Sequence, residues 1–164
     1  MKVKALTILV AEDDLLSRMV LERSVVQWGH QLVSAVDGKS AQEVLQIRSV
    51  DICLLDCDMP GMTGLEVCQW LRTNATEQPY VILITGREQP EDIQAGYEAG
   101  ANDYIMKPCD LKYLRRRITA VAHKLGRQEA WLDKSDKSTE SLGLAAMNPL
   151  DIYLSDLRLM RPKT

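Results

Sequence analysis

Three acids in a row, Glu12, Asp13 and Asp14, stand directly behind the apolar run "LTILVA", and a fourth, Asp56, closes a second run, "DICLLD". Thr85 falls at the end of "YVILITG", and Lys107 follows "NDYIM". Carboxylates crowded together repel one another and resist ionisation unless a cation neutralises them. A hard divalent ion suits an all-oxygen set, and Mg²⁺ needs only a few carboxylates beside water and phosphate. One ammonium and one hydroxyl complete a cradle for a phosphoryl group. Asp56 is then placed as a nucleophile that forms an acyl phosphate. Each piece alone has a plainer reading. "DCDMPG" is also turn chemistry, Glu12 and Asp13 also suit a helix cap, and Thr85, Lys107 and Tyr104 are ordinary residues near strand ends. The ordered set is what carries the chemistry.

Such residues need a scaffold that brings them to one edge. "LTILVA", "QLVSAV", "DICLLD", "YVILITG" and "NDYIM" read as strands because they are short, mostly apolar and rich in β-formers. Between them lie helical patterns. Leu15, Leu16, Met19, Val20, Val25 and Val26 recur at helical spacing before Gly29, which suits a helix end. Further helices are predicted over 38–48, over 64–73 with Leu65, Cys68 and Leu71 inward, from Pro90, and from Leu111 behind Asp110. Strand and helix alternate five times, which predicts an α/β domain: a doubly wound five-stranded parallel sheet covered on both faces. In a parallel sheet the carboxyl ends share one edge, so Glu12, Asp13, Asp56, Thr85 and Lys107 converge on one cleft.

The totals agree. At 46% apolar and 26% charged the chain has a globular composition, with no run able to cross a membrane. A net charge of -3 argues weakly against nucleic-acid binding. The four cysteines, Cys53, Cys57, Cys68 and Cys109, lack zinc-site spacing and fall partly within predicted elements, so reduced thiols are expected. The start "MKVKALTILV" lacks a signal peptide's long apolar core, and a cytoplasmic location is expected.

The segments "ILVAEDD", "DICLLDCDMPGMTGLEV", "VILITG" and "AGANDYIMKP" together resemble the receiver domain of bacterial two-component response regulators, over about residues 5 to 125. The spacings match that family: Asp56 lies 43 residues after Asp13, 29 before Thr85 and 51 before Lys107. The resemblance implies a flavodoxin-like (βα)5 fold with strand order 2-1-3-4-5. It implies Asp56 as the aspartate phosphorylated by a histidine kinase or histidine phosphotransfer protein. Glu12, Asp13, Asp56 and the backbone carbonyl of Cys57 would hold Mg²⁺, with Asp14 just past the acidic pair. Thr85 and Lys107 would contact the phosphoryl oxygens, and Tyr104 would be the switch aromatic, turning inward as Thr85 moves. Pro108 would follow a cis bond. Asp58 and Arg87 occupy positions where phosphoryl lifetime is tuned, and pairing between them would cancel an effect of the Asp58 carboxylate on water. Cys109 stands where an aromatic is common.

The implied function is a phosphorylation switch, not an enzyme. Its downstream partner, or a second copy in a homodimer, would use the surface of the fourth helix, fifth strand and fifth helix. The basic run Lys112, Arg115, Arg116, Arg117, Lys124 and Arg127 is read as part of a docking face rather than a nucleic-acid site. One alternative is a haloacid-dehalogenase-type phosphatase with Asp56 as nucleophile and Asp58 as general acid. Its metal-binding acids would follow the lysine, whereas here Glu12 and Asp13 come first. Another alternative is a phosphate-independent scaffold. The receiver is expected over 1–126 and a C-terminal extension over 127–164, with a continued helix, a polar linker at about 133–148 and a short amphipathic helix at about 149–160.

Overall fold

Every residue of β3 (Ile52–Asp56) is buried, the pattern of a strand covered on both faces. The structure, a computed structural model, describes residues 4–135, and side chains over 4–126. β3 is the middle of five parallel strands in the order β2-β1-β3-β4-β5. The others are β1 (Thr7–Ala11), β2 (Gln31–Ala35), β4 (Tyr80–Thr85) and β5 (Asp103–Met106). The connecting helices are α1 (Leu15–Gln27), α2 (Gly38–Ile47), α3 (Gly64–Asn74), α4 (Pro90–Glu98) and α5 (Leu111–Ser135). Packing divides the chain into units of 1–129 and 130–164, and the first holds the sheet and every site below. The short helix expected at about 149–160 and most of the linker expected at about 133–148 lie outside the described residues.

Alternation along the strands builds two cores. Ile8, Val10, Ile52, Leu54, Ile82 and Ile84 face one way, with Leu21 and Val25 of α1 and Leu114 and Ile118 of α5. Leu9, Cys53, Leu55, Val81 and Leu83 face the other, with Ala41 of α2 and Val67, Cys68 and Leu71 of α3. Each fully buried Leu or Ile contributes roughly 1.5–3 kcal/mol, so sliding any strand by one residue would forfeit several of them.

The apolar pattern of α1 did not translate into burial. Of its six residues at helical spacing, only Val25 is buried; Leu15, Leu16, Met19, Val20 and Val26 are exposed. Leu21 and Ser24 join Val25 on the inner face. α1 is apolar on both sides, and its outer side needs another explanation.

At the amino edge of the sheet, Arg72 of α3 ties three segments together. Its guanidinium donates to the Gly100 carbonyl at 2.8 Å, Asn102 Oδ1 at 2.7 Å, Gln78 Oε1 at 2.8 Å and the Pro79 carbonyl at 3.0 Å. Nearby, Asp103 is 1% exposed and pairs with Arg117 of α5, which also reaches the Tyr80 hydroxyl. Arg117 therefore belongs to the interior and not to the basic face that the sequence suggested. Removing one member of a buried pair strands the other's charge. Asp103→Ala is predicted to cost ~3 kcal/mol in urea denaturation, and a joint replacement of Asp103 and Arg117 by apolar residues to cost less.

His30 accepts the Leu6 N–H through Nδ1 at 3.2 Å, and burial holds its pKa below the ordinary 6.5. As pH falls below that ordinary value the unfolded chain binds the proton first, so native stability drains away until the folded-state pKa is passed. Thermal midpoints measured from pH about 7.5 to about 5.5 should fall less in His30→Asn, which keeps an acceptor but not the titration. The difference between the two proteins cancels the contribution of carboxylates common to both.

Candidate functional site

Asp56 ends β3 at the carboxyl edge with 4% of its surface exposed. The chain turns sharply behind it, with Gly61 at φ 78°, and re-enters a helix at Thr63, whose side chain and that of Glu66 cap each other's backbone N–H groups. Gly64, the first residue of α3, is fixed by proximity: a Cβ there would lie 2.3 Å from the Asp56 carbonyl oxygen. Only glycine lets α3 begin this close to the strand end. The Gly64 N–H donates to the Cys57 carbonyl at 3.3 Å, a long bond that leaves that oxygen a second lone pair.

β1 delivers the other acids. Asp14 caps α1, accepting the Ser17 N–H at 2.8 Å, and this releases Glu12 and Asp13 from capping duty. Glu12 is 1% exposed, and its Oε1 accepts the Asp14 N–H at 3.1 Å. Arg18 holds the Glu12 carbonyl at 2.8 Å, a contact that nothing in the spacing announced. Asp13 is exposed at the mouth. Among the described residues, Glu12, Asp13 and Asp56 each offer an oxygen within 4.8 Å of the others.

Lys107 comes from the turn after β5. Its Nζ lies 3.1 Å from Glu12 Oε2 and 3.2 Å from Asp56 Oδ1, so one ammonium bridges two carboxylates. Burial works against the Lys107 charge, yet its contacts with Glu12 and Asp56 prevail and lift its pKa above the ordinary lysine value. Burial pushes the Glu12 carboxyl up, and the Lys107 contact only partly offsets it. The Lys107–Pro108 bond is cis, and the Lys107 N–H donates to the Thr85 carbonyl at 2.7 Å.

Thr85 is fully buried at the end of β4, and its Oγ1 accepts the Arg87 N–H at 3.0 Å. Cys57, buried beside it, has its thiol pKa pushed up to about 11 by desolvation, so it is inert as a nucleophile. Asp58 and Arg87 do pair: Arg87 Nε and Nη2 reach Asp58 Oδ1 at 3.0 and 2.6 Å, across the mouth of the cleft. Asp92 of α4 stands 3.7 Å from the same guanidinium. Tyr104 is 8% exposed, and its hydroxyl donates to the Arg87 carbonyl at 2.9 Å. Its ring lies against Gly96 of α4, where a Cβ would come within 3.0 Å of the ring. Gly96 and Asp92 went unnoticed in the sequence because their roles depend on how α4 packs. All the anticipated residues lie at the carboxyl edge, arranged as one chemical site plus a polar bridge leading toward α4.

Comparison with known proteins bears on the family and the fold. The model of the response regulator receiver domain matches residues 8–119. The transcriptional regulatory protein AfsQ1 of Streptomyces coelicolor is 36% identical over 122 residues, 74% of this chain and 53% of that protein. A probable cyclic di-GMP phosphodiesterase of Vibrio cholerae is 34% identical over 79% of this chain but only 30% of its own length. The chain thus spans about half or less of these curated relatives. Among solved structures, the receiver domain of a signal transduction histidine kinase from Syntrophus aciditrophicus superposes with TM-score 0.69 at 29% identity, covering 87% of this chain and all of that one. The carboxylate cluster at the sheet edge, the lysine before its cis proline and the matched sequence have one common reading. The chain belongs to the response regulator receiver domain family.

Proposed function

We propose that this chain is a phosphorylation switch that accepts a phosphoryl group on Asp56 from a histidine kinase or histidine phosphotransfer protein. The observation that carries the proposal is the Lys107 ammonium set between Glu12 and Asp56, with Asp13 at the mouth. These donors fit Mg²⁺: Glu12, Asp13 and Asp56 offer hard oxygens gathered closely enough to share one small ion, and the Cys57 carbonyl is a hard oxygen of the same kind. Bound there, Mg²⁺ would neutralise charge on the transferring group.

The chain's own part follows from its contacts. The Asp58 N–H, 3.2 Å from Asp56 Oδ1, and Lys107 orient the carboxylate. An Asp56 oxygen attacks phosphorus, the P–N bond of phosphohistidine breaks, and the imidazole leaves with the bonding electrons. Lys107 and the Thr85 hydroxyl then serve the new phosphoryl oxygens. Hydrolysis reverses the gain: water attacks phosphorus, the P–O bond to Asp56 breaks, and the carboxylate returns with release of inorganic phosphate. The lasting product is a changed surface, so the chain acts as a switch and not as an enzyme. Asp58 is held by the Arg87 guanidinium, and Glu12 and Asp13 precede Lys107 in the chain, the reverse of the order in a dehalogenase-type phosphatase.

Two faces suit the partners. The exposed aliphatic residues Leu15, Leu16, Met19 and Val20 of α1 begin directly behind Glu12 and Asp13, so a phosphodonor reaching Asp56 would cover them. The α4–β5–α5 face carries acids on α4, Glu91, Asp92 and Glu98, and exposed bases on α5, Lys112, Arg115 and Arg116. A downstream protein or a second copy would find both signs of charge there. No described helix is long and apolar enough to cross a membrane, and nucleic acid is not the partner we propose. A cytoplasmic site of action follows from the donors.

Incubation with acetyl phosphate and Mg²⁺ should add one phosphoryl group by intact mass, and Asp56→Asn or omission of Mg²⁺ should abolish the adduct. An undiminished adduct on Asp56→Asn would overturn the proposal. The Asp58–Arg87 pair also withholds a carboxylate from water. Arg87→Ala is predicted to speed loss of the phosphoryl group about tenfold, a modest return for a freed general base, and addition of Asp58→Asn to abolish that gain.

A further inference from the structure

Arg87 is the residue through which most of the polar bridge passes. Its side chain is held by Asp58 and, more distantly, by Asp92. Its N–H is given to Thr85, and its carbonyl receives the Tyr104 hydroxyl. Asp58 in turn donates its N–H to Asp56 Oδ1. An unbroken series of contacts therefore runs from the Asp56 carboxylate, through Asp58 and Arg87, to the ring of Tyr104 on β5. Every atom in it belongs to the chain itself.

A loop carbonyl is a poor anchor for a tyrosine unless the loop is fixed. Residues 86 to 89, between β4 and α4, are all exposed, and Gly86 adds backbone freedom. The hydrogen bond to Thr85 fixes one side of residue 87. The contact of its side chain with Asp58, two nitrogens on one oxygen, ties the loop across the cleft to the turn after β3. Without it, the carbonyl that receives Tyr104 would share the mobility of an exposed loop. The ring itself needs no further room, because Gly96 leaves a notch for it in α4.

We infer that the Asp58–Arg87 ion pair holds the loop so that Tyr104 is kept inward by the chain alone, presetting the α4–β5 face in advance of any group on Asp56. The effect belongs to Arg87 as a positioning residue: it does not touch the reacting oxygen, its contact with α4 is the distant one to Asp92, and it acts through Tyr104. The pair is about half exposed on both sides, 52% and 47%, so water and salt compete for it. The preset is therefore adjustable by ionic strength. It also bears on switching, because a phosphoryl group can drive a two-state face only by the difference between its states. That last consequence rests on the proposed function; the preset does not.

The test uses the full chain with 3-fluorotyrosine at its five tyrosines, observed by fluorine NMR with no phosphodonor, the Tyr104 resonance being assigned by Tyr104→Phe. Gly96→Ala, which crowds the ring directly, calibrates how far the resonance moves when the ring is displaced. Arg87→Gln and Asp58→Asn should each shift it at least half that far, Arg87→Lys should shift it less, and about 1 M NaCl should mimic the loss in the parent chain only. A resonance that stays in place in either charge-removing variant, or that moves equally for Lys and Gln at position 87, overturns the inference. Both substituted side chains are exposed, so folding is not at stake. A parallel acetyl phosphate and Mg²⁺ arm separates the two ideas: failure of Asp56 to take the group overturns the proposed function and leaves the fluorine result standing.

Discussion

Three carboxylates whose oxygens come within 4.8 Å of one another are sustainable only beside positive charge, and much of this chain is arranged around that constraint. β1 and β3 must pair in register to bring Glu12 and Asp56 to the same edge; Ala11 stands opposite Leu55. β5 must end near β4 so that Lys107 can reach across, and the Lys107 N–H bonded to Thr85 secures that end. Gly64 must lack a side chain so that α3 can start against the Asp56 carbonyl. The lysine satisfies the constraint from within, and it does so with an ammonium that a small divalent ion and a phosphoryl group can share.

The neutralisation is partial. Glu12 remains harder to ionise than an ordinary glutamate because burial outweighs the help of Lys107. Lys107 for its part is stabilised in its charged form. A site in this condition is ready for a cation and has a base of positive charge for an anion, the two requirements of phosphoryl chemistry.

The sheet and the cleft were legible in the sequence for a physical reason, while the strand order came from the family resemblance. Buried parallel strands write themselves as continuous apolar runs, and a strand that ends in a carboxylate breaks the run abruptly, as "DICLLD" does. The acids, Thr85, Lys107 and the Asp58–Arg87 pair all sit at such breaks. What could not be read depends on which way a side chain points once helices are docked. α1 showed six apolar residues at helical spacing, but spacing alone does not tell an inner face from an outer one when both are apolar, and only Val25 went inside. Arg117 looked like one more base in a basic run, yet its partner Asp103 lies on another element. Gly96 carried no signal, since its value lies in the ring of a residue eight positions later.

Arg72 gives the molecule a mechanical asymmetry. By fastening the end of α3, the approach to β4 and the turn before β5 in one place, it makes the amino edge of the sheet a clamped end. The opposite edge carries the turn 57–63 and the exposed loop 86–89. A sheet clamped at one end and loaded at the other bends like a cantilever: displacements at the free end are largest, and the fastened end hardly shares them. On that picture a load at Asp56 is expected to displace the carboxyl rim, toward α4 and α1, more than the end that Arg72 fastens.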